Sequence, residues 1–448
     1  MTRAILVLLS IATAFPQDAA WKAGFASVDI TPQEPVPMGG YANRTAPFEA
    51  VEAPLFAKAL ALESSDGTRA LIITADLLGF TKERSERICA RLQASDGVAR
   101  KNILINASHT HSAPLVSGSM LLNAPPEMRA RMEAYIRSME DKIVATSQKA
   151  LHSLEPAKLS WGSGVAKFVM NRREFTPKGI ILGTNARGAA DRTVPVLRID
   201  DSSGRLRGVL FGAASHNTTL GGDNMRISGD YAGFAQMFIQ SRKPGVQAMF
   251  LTGCAGDANP NPRGTFDLAR RHGSELAEEV VRVLDTKLQP VAGPLHTEFR
   301  EVDLPLQKHS KAEIEAMAKG APSYLRFYTD GALARIEQGK PLLETYRAPF
   351  ALWQFGQDLT LVAFSGETLV DYAIGAERIL GPLQLWVSGY NNDVYGYLPP
   401  AHVLNEGGYE TRGLYSDYGL FSPEVESTVL HAVEQMARAA GRKMPNGR

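Results

Sequence analysis

Only two cysteines, Cys89 and Cys254, occur among the 448 residues of the chain. Two cysteines can form at most one bridge, so a small fold held together by several disulfides is excluded. Cys89 falls within a segment of helical periodicity, and we expect both thiols to be unpaired. We also expect them to be buried, because a free thiol is among the most frequently buried groups in folded proteins.

Neither sign of charge is in excess, since 48 Lys and Arg residues oppose 47 Asp and Glu residues for a formal net charge of +1. This balance excludes a generic nucleic-acid-binding protein, because such proteins need a basic surface that releases counterions from phosphates. It also provides no general attraction to anionic membranes. The hydrophobic fraction of 44% is that of an ordinary globular protein, which excludes extensive disorder.

Long apolar runs are missing beyond the N-terminus, and we therefore expect no transmembrane segment. At the N-terminus, Arg3 precedes an apolar run over residues 4–15, and the small residues Ala19 and Ala20 follow it. This order is typical of a secretory signal peptide, and the run is shorter than the roughly 20 residues that a bilayer span requires. We expect residues 1–20 to be a signal peptide and the protein to be exported to the periplasm or the extracellular space. A buried N-terminal helix is the alternative.

Strand patterns and helix patterns alternate along residues 21–448. Apolar segments on both sides of Asp-Gly and Ser-Gly turns predict β-hairpins over residues 55–74 and 194–213. Further strands are predicted over residues 102–107, 247–251, 359–364 and 385–388. Helical periodicity predicts helices over residues 82–93, 127–151, 267–284 and 423–440.

This alternation predicts an α/β fold with mixed sheet layers and flanking helices. The length of the chain alone suggests about three domains. No internal repeat, low-complexity tract or long linker divides the chain, however, so we expect a single large catalytic domain over residues 21–448. The more charged residues 308–339 are interpreted as a helical insertion.

Histidines follow two of the predicted strands. His109 and His111 come directly after residues 102–107, and His216 follows the second hairpin. In α/β sheets, ligand sites collect beyond the carboxyl ends of strands, and such histidines can bind a metal or move protons. The alternative is that they are loop histidines satisfied by backbone hydrogen bonds. Since alternate residues of an extended chain point to opposite sides, a turn is needed for His109 and His111 to reach one metal.

Three other segments contain candidate functional side chains. Residues 251–262, which include Asn259, combine small residues, amides and prolines and can approach a substrate closely or serve only as a connector. Glu367 lies at a strand-to-helix junction, where a glutamate commonly does no more than offset the helix dipole. Tyr397 and Tyr409 belong to a tyrosine-rich segment, and most tyrosines are packing residues.

Taken in order, these segments resemble the catalytic domain of the neutral (non-lysosomal) ceramidases, a family of zinc-dependent amidases. The resemblance runs from about residue 24 to residue 420, nearly the whole chain after the predicted signal peptide. The matching motifs are the family's opening at residues 28–41, the His-Thr-His-Ser-x-Pro loop at residues 109–114, Asn-Arg at residues 171–172, the second histidine at residue 216, Gly-Glu at residues 366–367, and the tyrosine motifs at residues 397–399 and 408–410.

The resemblance implies a zinc-dependent hydrolase that cleaves an amide (N-acyl) bond. The implied zinc ligands are His109, His216, Glu367 and Tyr397. It further implies that His111 handles a proton and that Arg172 and Tyr409 are donors to the substrate oxyanion. The implied partner is a small-molecule or lipid amide substrate. Zinc takes nitrogen and oxygen ligands of these types, and a catalytic site keeps one position open.

The chain departs from the family at two places. Asn259 occupies the position of the family's serine in the loop Gly256-Asp257-Ala258-Asn259-Pro260. An asparagine cannot form an acyl-enzyme, so we expect zinc-activated water to be the nucleophile. Asn259 can instead donate a hydrogen bond to a tetrahedral oxyanion. We also expect the protein to lack the C-terminal immunoglobulin-like domain of the ceramidases. Both departures leave open a different amide, lactam or ester as the substrate, and a non-catalytic binding protein on the same fold is a third possibility. No pattern indicates the oligomeric state.

Overall fold

The computed structural model describes residues 21–44, 46–116, 124–321, 323–413 and 418–445, and the signal peptide expected over residues 1–20 lies outside them. Its strands in chain order are β1 (Trp21–Asp29), β2 (Ala50–Val51), β3 (Phe56–Ser64), β4 (Arg69–Ala75), β5 (Ile103–Ala107), β6 (Glu155–Val165), β7 (Val169–Thr176), β8 (Gly179–Asn185), β9 (Thr193–Asp201), β10 (Leu206–Ala213), β11 (Arg226–Ile227), β12 (Gln247–Thr252), β13 (Ala258–Pro260), β14 (Gln289–Val291), β15 (Leu295–Pro305), β16 (Thr345–Phe355), β17 (Leu359–Ala363), β18 (Glu367–Thr368), β19 (Leu385–Ser388) and β20 (Tyr397–Leu398). Its helices are α1 (Lys82–Asp96), α2 (Pro126–Leu151), α3 (Asp230–Arg242), α4 (Phe266–Leu284), α5 (Lys311–Ala318), α6 (Ser323–Glu337), α7 (Val370–Leu380), α8 (Ala401–Glu406) and α9 (Val425–Ala439).

Two mixed sheets form the centre of the molecule. The larger sheet has the strand order β12-β10-β9-β6-β1-β3-β4-β5, with β14 paired to β6, and the smaller has the order β15-β16-β17-β19. Each sheet contains both antiparallel and parallel pairs, the parallel ones being β4/β5, β10/β12 and β17/β19. The predicted α/β class, with mixed sheet layers and flanking helices, is confirmed.

Alternating burial along the strands sets the order of the layers. On β4, Leu71 and Ile73 join an apolar cluster with α1 and α2, whereas Ile72 points the other way, into a cluster between the two sheets. On β16, Trp353 joins that inter-sheet cluster and Phe350 packs with α7 and α9. Because side chains of a strand alternate between faces, the layers are helix, sheet, sheet, helix, and the inter-sheet cluster is a core of the single large domain.

The predicted hairpins and helices lie close to their observed positions. β3 pairs antiparallel with β4, and β9 with β10, and their turns contain Gly67 and Gly204 at φ values of 82° and 87°. These left-handed conformations explain why glycine stands at both turns. Helix α1 begins after Thr81, whose hydroxyl accepts the Arg84 N–H, and it is capped at its C-terminal end by Gly97. The expected insertion contains the two helices α5 and α6, and Cys89 and Cys254 are unpaired and buried as expected.

The carboxyl ends of strands from both sheets meet at Asn106, which is fully buried at the end of β5. Its Nδ2 donates to Gly389 O at 2.9 Å and to Asn391 Oδ1 at 3.0 Å, beyond the end of β19. Its Oδ1 accepts the N–H of Thr252, the last residue of β12, at 3.1 Å. The loops that follow these strands are therefore gathered at one edge of the molecule. Among the described residues, no helix is both long enough and apolar enough to cross a bilayer.

Candidate active site

A turn in the backbone brings His109 and His111 together. His109 has a φ of 59°, a left-handed conformation that is uncommon for a residue other than glycine and that concentrates at functional sites. The ring centroids of His109 and His111 are 4.8 Å apart, and their Nε2 atoms are 3.1 Å apart. Thr110 forms a β-bridge with Asn217, which places this loop beside His216. The turn required for the two histidines to face one centre is present.

Nitrogen and carboxylate donors converge at this point. One donor atom from each of His109, His111 and His216 lies within 4.8 Å of the others. Glu367 Oε2 lies 3.3 Å from His109 Nε2 and 3.0 Å from His216 Nε2. His109, His216 and Glu367 are almost fully buried and His111 is partly buried, and the three histidines could therefore hold a metal ion.

The outer nitrogens of two histidines fix how the rings are turned. His109 Nδ1 lies 2.5 Å from Leu78 O, and His216 Nδ1 lies 2.7 Å from Ala255 O. A carbonyl oxygen only accepts, so each Nδ1 carries the proton and each Nε2 directs a lone pair towards Glu367. Lone pairs and a carboxylate repel each other at about 3 Å unless a cation lies among them. Residues with this arrangement fit a divalent metal.

Glu367 and Tyr397 reach the cluster through the short parallel pair of β18 and β20, in which they are direct partners. Gly366 has a φ of 75°, and a side chain there would collide with the ring of Tyr395. This explains why glycine precedes Glu367. Burial acts to raise the pKa of Glu367, and positive charge on the facing histidines His109 and His216 would hold it well below its ordinary value.

His111 is held differently from the other two histidines. Its Nδ1 is buried and has no hydrogen-bond partner among the described residues. Its ring packs edge-on against Tyr41 at 4.9 Å between centroids, and a side chain on Gly40 would collide with it. Burial, with His109 and His216 nearby, lowers the pKa of His111 well below its ordinary value. His111 faces the centre without the carbonyl contact that orients the other rings.

Arg172 lies at an irregularity in the pairing of β7 with β8, between Asn171 and Arg173. Such a bulge redirects the side chain of the extra residue. The guanidinium is buried, with Nη2 donating to the Tyr397 hydroxyl at 2.9 Å and Nη1 donating to Asn259 Oδ1 at 3.3 Å. Burial alone would lower the pKa of Arg172, but the nearby Tyr397 and Glu410 keep this pKa well above its ordinary value.

The orientation of the Asn259 side chain follows from its two donors. Oδ1 accepts from Arg172 Nη1 and, at 3.1 Å, from Thr218 Oγ1. Nδ2 therefore points away from these two donors, and it donates no hydrogen bond to any residue that the structure describes. β13 holds Asn259 in place by pairing it with Met170 of β7. The amide N–H groups of Asn259 can therefore serve as donors to a bound molecule.

Tyr409 completes the set of residues that the sequence singled out. It begins a short 3-10 helix, and its half-buried ring lies 5.6 Å from the ring of Tyr397 and 5.7 Å from the guanidinium carbon of Arg172. The structure brings all eight candidate site residues into one contiguous cluster: His109, His111, Arg172, His216, Asn259, Glu367, Tyr397 and Tyr409.

Three neighbours of the cluster were not singled out from the sequence. Tyr390 packs against His109 at 4.5 Å between ring centroids, Thr218 orients Asn259, and Glu410 is fully buried beside Arg172. Glu410 directly follows Tyr409, and Thr218 lies two residues after His216. Their closeness to these motif residues is the one sequence feature that could have indicated a place in the site. Their burial depends on tertiary contacts.

Comparison with known proteins identifies the family. Residues 21–321 match the N-terminal part of the neutral/alkaline non-lysosomal ceramidase family. The chain therefore belongs to this family. Five of the eight candidate residues lie inside the matched range, whereas Glu367, Tyr397 and Tyr409 follow it. The family membership expected from the motifs is confirmed.

Individual relatives are distant and longer. Neutral ceramidase A of Dictyostelium discoideum is 26% identical over 268 residues, which are 55% of this chain and 37% of that protein. The neutral ceramidase of Mycobacterium tuberculosis is 27% identical over 278 residues, or 54% of this chain and 41% of that protein. The crystal structure of neutral ceramidase from Pseudomonas aeruginosa superposes with a TM-score of 0.72 at 21% identity, covering 94% of this chain and 75% of that one. The matched part thus spans less than half of these curated relatives, and the structural likeness shows the fold.

Proposed function

We propose that the protein is an exported, zinc-dependent hydrolase of amide (N-acyl) bonds. The observation that carries this proposal is the convergence of His109 Nε2 and His216 Nε2 on the Glu367 carboxylate, beside a buried Arg172. Membership of the ceramidase family supports the amide bond as the target. The signal-peptide pattern over residues 1–20 supports export.

His109, His216, Glu367 and Tyr397 would hold the metal. Two imidazole nitrogens with a carboxylate and a phenol oxygen suit zinc, which accepts nitrogen and oxygen ligands. When bound, zinc would polarise the substrate carbonyl and lower the pKa of water, which makes water a nucleophile at neutral pH. The carbonyl oxygens of Leu78 and Ala255 keep the two histidines oriented for this purpose.

Proton transfer is assigned to His111. Its Nε2 faces the same centre as His109 Nε2, at 3.1 Å, so it reaches a water molecule that attacks a carbonyl there. The ring can take the proton of that water and deliver it to the leaving amine, which is the usual task of a general base that becomes a general acid. Within the part of the chain that the structure describes, His111 Nδ1 contacts no carbonyl oxygen, which distinguishes His111 from the proposed ligands His109 and His216.

We assign the stabilisation of the negative charge on the reacting carbonyl oxygen to three hydrogen-bond donors: Arg172, Asn259 and Tyr409. Donors that are already oriented stabilise an oxyanion without reorganisation, and the loss of one typically lowers kcat by about 10²- to 10³-fold. Arg172 and Asn259 are oriented by mutual contact, and the ring of Tyr409 lies beside the guanidinium. Asn259 acts in this scheme as a donor and not as a nucleophile.

The substrate class has two candidates. A lipid amide of the ceramide type is supported by the family, whereas Asn259 at the position of the family's serine supports a different amide, lactam or ester. Purified protein should contain about one zinc per chain. Hydrolysis is measured against ceramide, short N-acyl amides, lactams and esters, before and after chelation and after return of zinc.

Cleavage of an amide that is lost on chelation and restored by zinc is the expected result. Robust cleavage of ceramide would eliminate the second candidate. Absence of hydrolysis across the whole panel, with zinc bound and one panel compound raising the melting temperature, would refute the hydrolase and favour a binding protein on the same fold.

A further inference from the structure

Glu410 is a fully buried carboxylate that lies in the motif at residues 408–410 but has no role in the proposed mechanism. Its Oε1 accepts from Arg172 Nε at 2.9 Å, and its Oε2 accepts from Arg173 Nη1 at 2.7 Å. A buried carboxylate is costly unless charged donors satisfy it, and here each oxygen has one. Glu410 therefore joins two consecutive arginines of β7 to the short helix that begins at Tyr409.

The three nitrogens of the Arg172 guanidinium go to three different parts of the chain. Nε donates to Glu410, Nη1 to Asn259 and Nη2 to Tyr397. The bond through Nε lies at the stem of the guanidinium and fixes the rotation of its plane. The two terminal nitrogens then face the side of the site where Asn259 and Tyr397 lie.

The charges around Arg172 also indicate that Glu410 is paired with this arginine. Arg173 has a second carboxylate, since its Nη2 lies 3.0 Å from Glu406, whereas Glu410 is the one carboxylate hydrogen-bonded to Arg172 among the described residues. Two arginines and two glutamates thus form a neutral group beneath the site. Without the charge of Glu410, the repulsion between the Arg172 guanidinium and a divalent metal at the histidine cluster would no longer be offset.

We propose that Glu410 is a positioning residue that holds the Arg172 guanidinium with its terminal nitrogens towards the reacting carbonyl. This inference rests on the proposed function, because the carbonyl belongs to the amide substrate. Glu410 itself touches Arg172 and Arg173 and acts through the former. The short helix it belongs to also carries Tyr409, so the same contact places a second donor.

The first test does not depend on turnover. In protein with ¹⁵N-labelled arginine, the Nε–H signal of Arg172 is identified by its absence in Arg172→Lys. We expect this proton to exchange slowly with water and the two Nη groups to give separate signals. In Glu410→Gln the exchange should become at least about tenfold faster and the Nη signals should merge, because a charged acceptor has been lost. Glu406→Gln is the matched control, since it removes a carboxylate from Arg173 alone and should leave the Arg172 signals unchanged.

The second test is kinetic. Glu410→Gln should lower kcat about tenfold to a hundredfold, with KM and zinc content nearly unchanged, because a small misplacement of a catalytic group costs about that much. In an Arg172→Lys background the same change should have little further effect on kcat, since its action depends on the guanidinium. Glu410→Asp keeps the charge and should retain more activity than Glu410→Gln.

The outcomes separate this inference from the proposed function. Unchanged Arg172 signals in Glu410→Gln, or an equal fall in kcat in both backgrounds, would overturn the positioning role. If the wild-type protein cleaves no amide, the proposed function fails, and the arginine signals still decide whether Glu410 orients Arg172. If Glu410→Gln does not fold, the comparison is made with Glu410→Asp, whose Arg172 signals should remain separate, and merged signals there would contradict the proposal.

Discussion

Glu367 and Tyr397 are direct neighbours across a parallel strand pair that is only two residues long. Helix α7 and strand β19 separate them in the sequence, yet the pairing sends both side chains from the same face. The carboxylate approaches His109 and His216, while the hydroxyl accepts from Arg172. Glu367 therefore belongs to the histidine cluster, and Tyr397 connects that cluster to the arginine.

The two proposed oxygen ligands, Glu367 and Tyr397, should differ in their effect on metal binding. Glu367→Gln removes a charge that lies within 3.3 Å of two imidazole nitrogens, and we expect the Kd for zinc to rise at least about 100-fold. Tyr397→Phe removes a hydroxyl that is shared with Arg172, and a rise of about tenfold is expected. Competition with a chromogenic chelator measures both, with the exposed Glu83→Gln as the control. Equal effects of the two variants would contradict the assignment.

His109 and His111 should separate metal binding from proton transfer. His109→Ala is expected to abolish both zinc content and turnover, because a proposed ligand is lost. His111→Ala should retain about one zinc per chain and lower kcat about 10²- to 10⁴-fold, which is the usual contribution of a general base. Zinc analysis and initial rates are measured together, with the exposed His431→Ala as the control. Loss of zinc from His111→Ala would make His111 a ligand instead.

Asn259→Asp changes the charge of the proposed oxyanion donor with almost no change of shape. The Oδ1 that accepts from Arg172 and Thr218 is kept, but the N–H groups of Nδ2 are replaced by an anionic oxygen. We expect kcat to fall about 10²- to 10³-fold with zinc content retained. The exposed Asn405→Asp provides the control. An unchanged kcat would show that the oxyanion is stabilised elsewhere.

Elements with a clear local pattern could be predicted from the sequence. The strand expected over residues 102–107 is β5 (Ile103–Ala107), and the helix expected over residues 267–284 is α4 (Phe266–Leu284). β15 (Leu295–Pro305) and β16 (Thr345–Phe355) were not predicted. β16 is buried on both faces, between the larger sheet and the helices, so its apolar residues do not alternate as those of a half-buried strand do.

The residues of the site could be chosen from the motifs, but their geometry could not. The left-handed backbone at His109 and the two-residue pairing of Glu367 with Tyr397 depend on long-range contacts that leave no local pattern. Glu410 illustrates the same limit. A glutamate in a polar loop usually lies in solvent, and only the fold shows that this one is buried between Arg172 and Arg173.

A buried carboxylate away from the histidine cluster connects two elements near the site. Asp393 Oδ1 accepts the N–H of Lys82, the first residue of α1, at 3.1 Å. Its Oδ2 lies 2.6 Å from the hydroxyl of Tyr346. Burial raises the pKa of Asp393 to about 7. The Tyr346 hydroxyl donates to Oδ2 of the ionised carboxylate. After protonation, Oδ2 can donate to the Tyr346 oxygen instead, so a protonated carboxyl group keeps both contacts.

Asp393→Asn should make the protein's stability less dependent on pH. Because the pKa of Asp393 is higher in the folded protein than the ordinary value of 3.8, the folded state binds the proton more tightly than the unfolded chain. The stabilisation from this group is complete below about pH 4 and is lost as the pH rises towards about 7. The amide copies the protonated acid, with Nδ2 donating to Tyr346 and Oδ1 accepting from Lys82, so it keeps both contacts at every pH.

Urea unfolding at pH 5 and pH 8 should show the free energy of unfolding of the wild type falling by about 1 to 3 kcal/mol more than that of Asp393→Asn between the two pH values. The exposed Asp267→Asn should lose as much as the wild type, and an Asp393→Asn profile parallel to both would show that the Asp393 carboxyl group is ionised in the folded protein throughout this range.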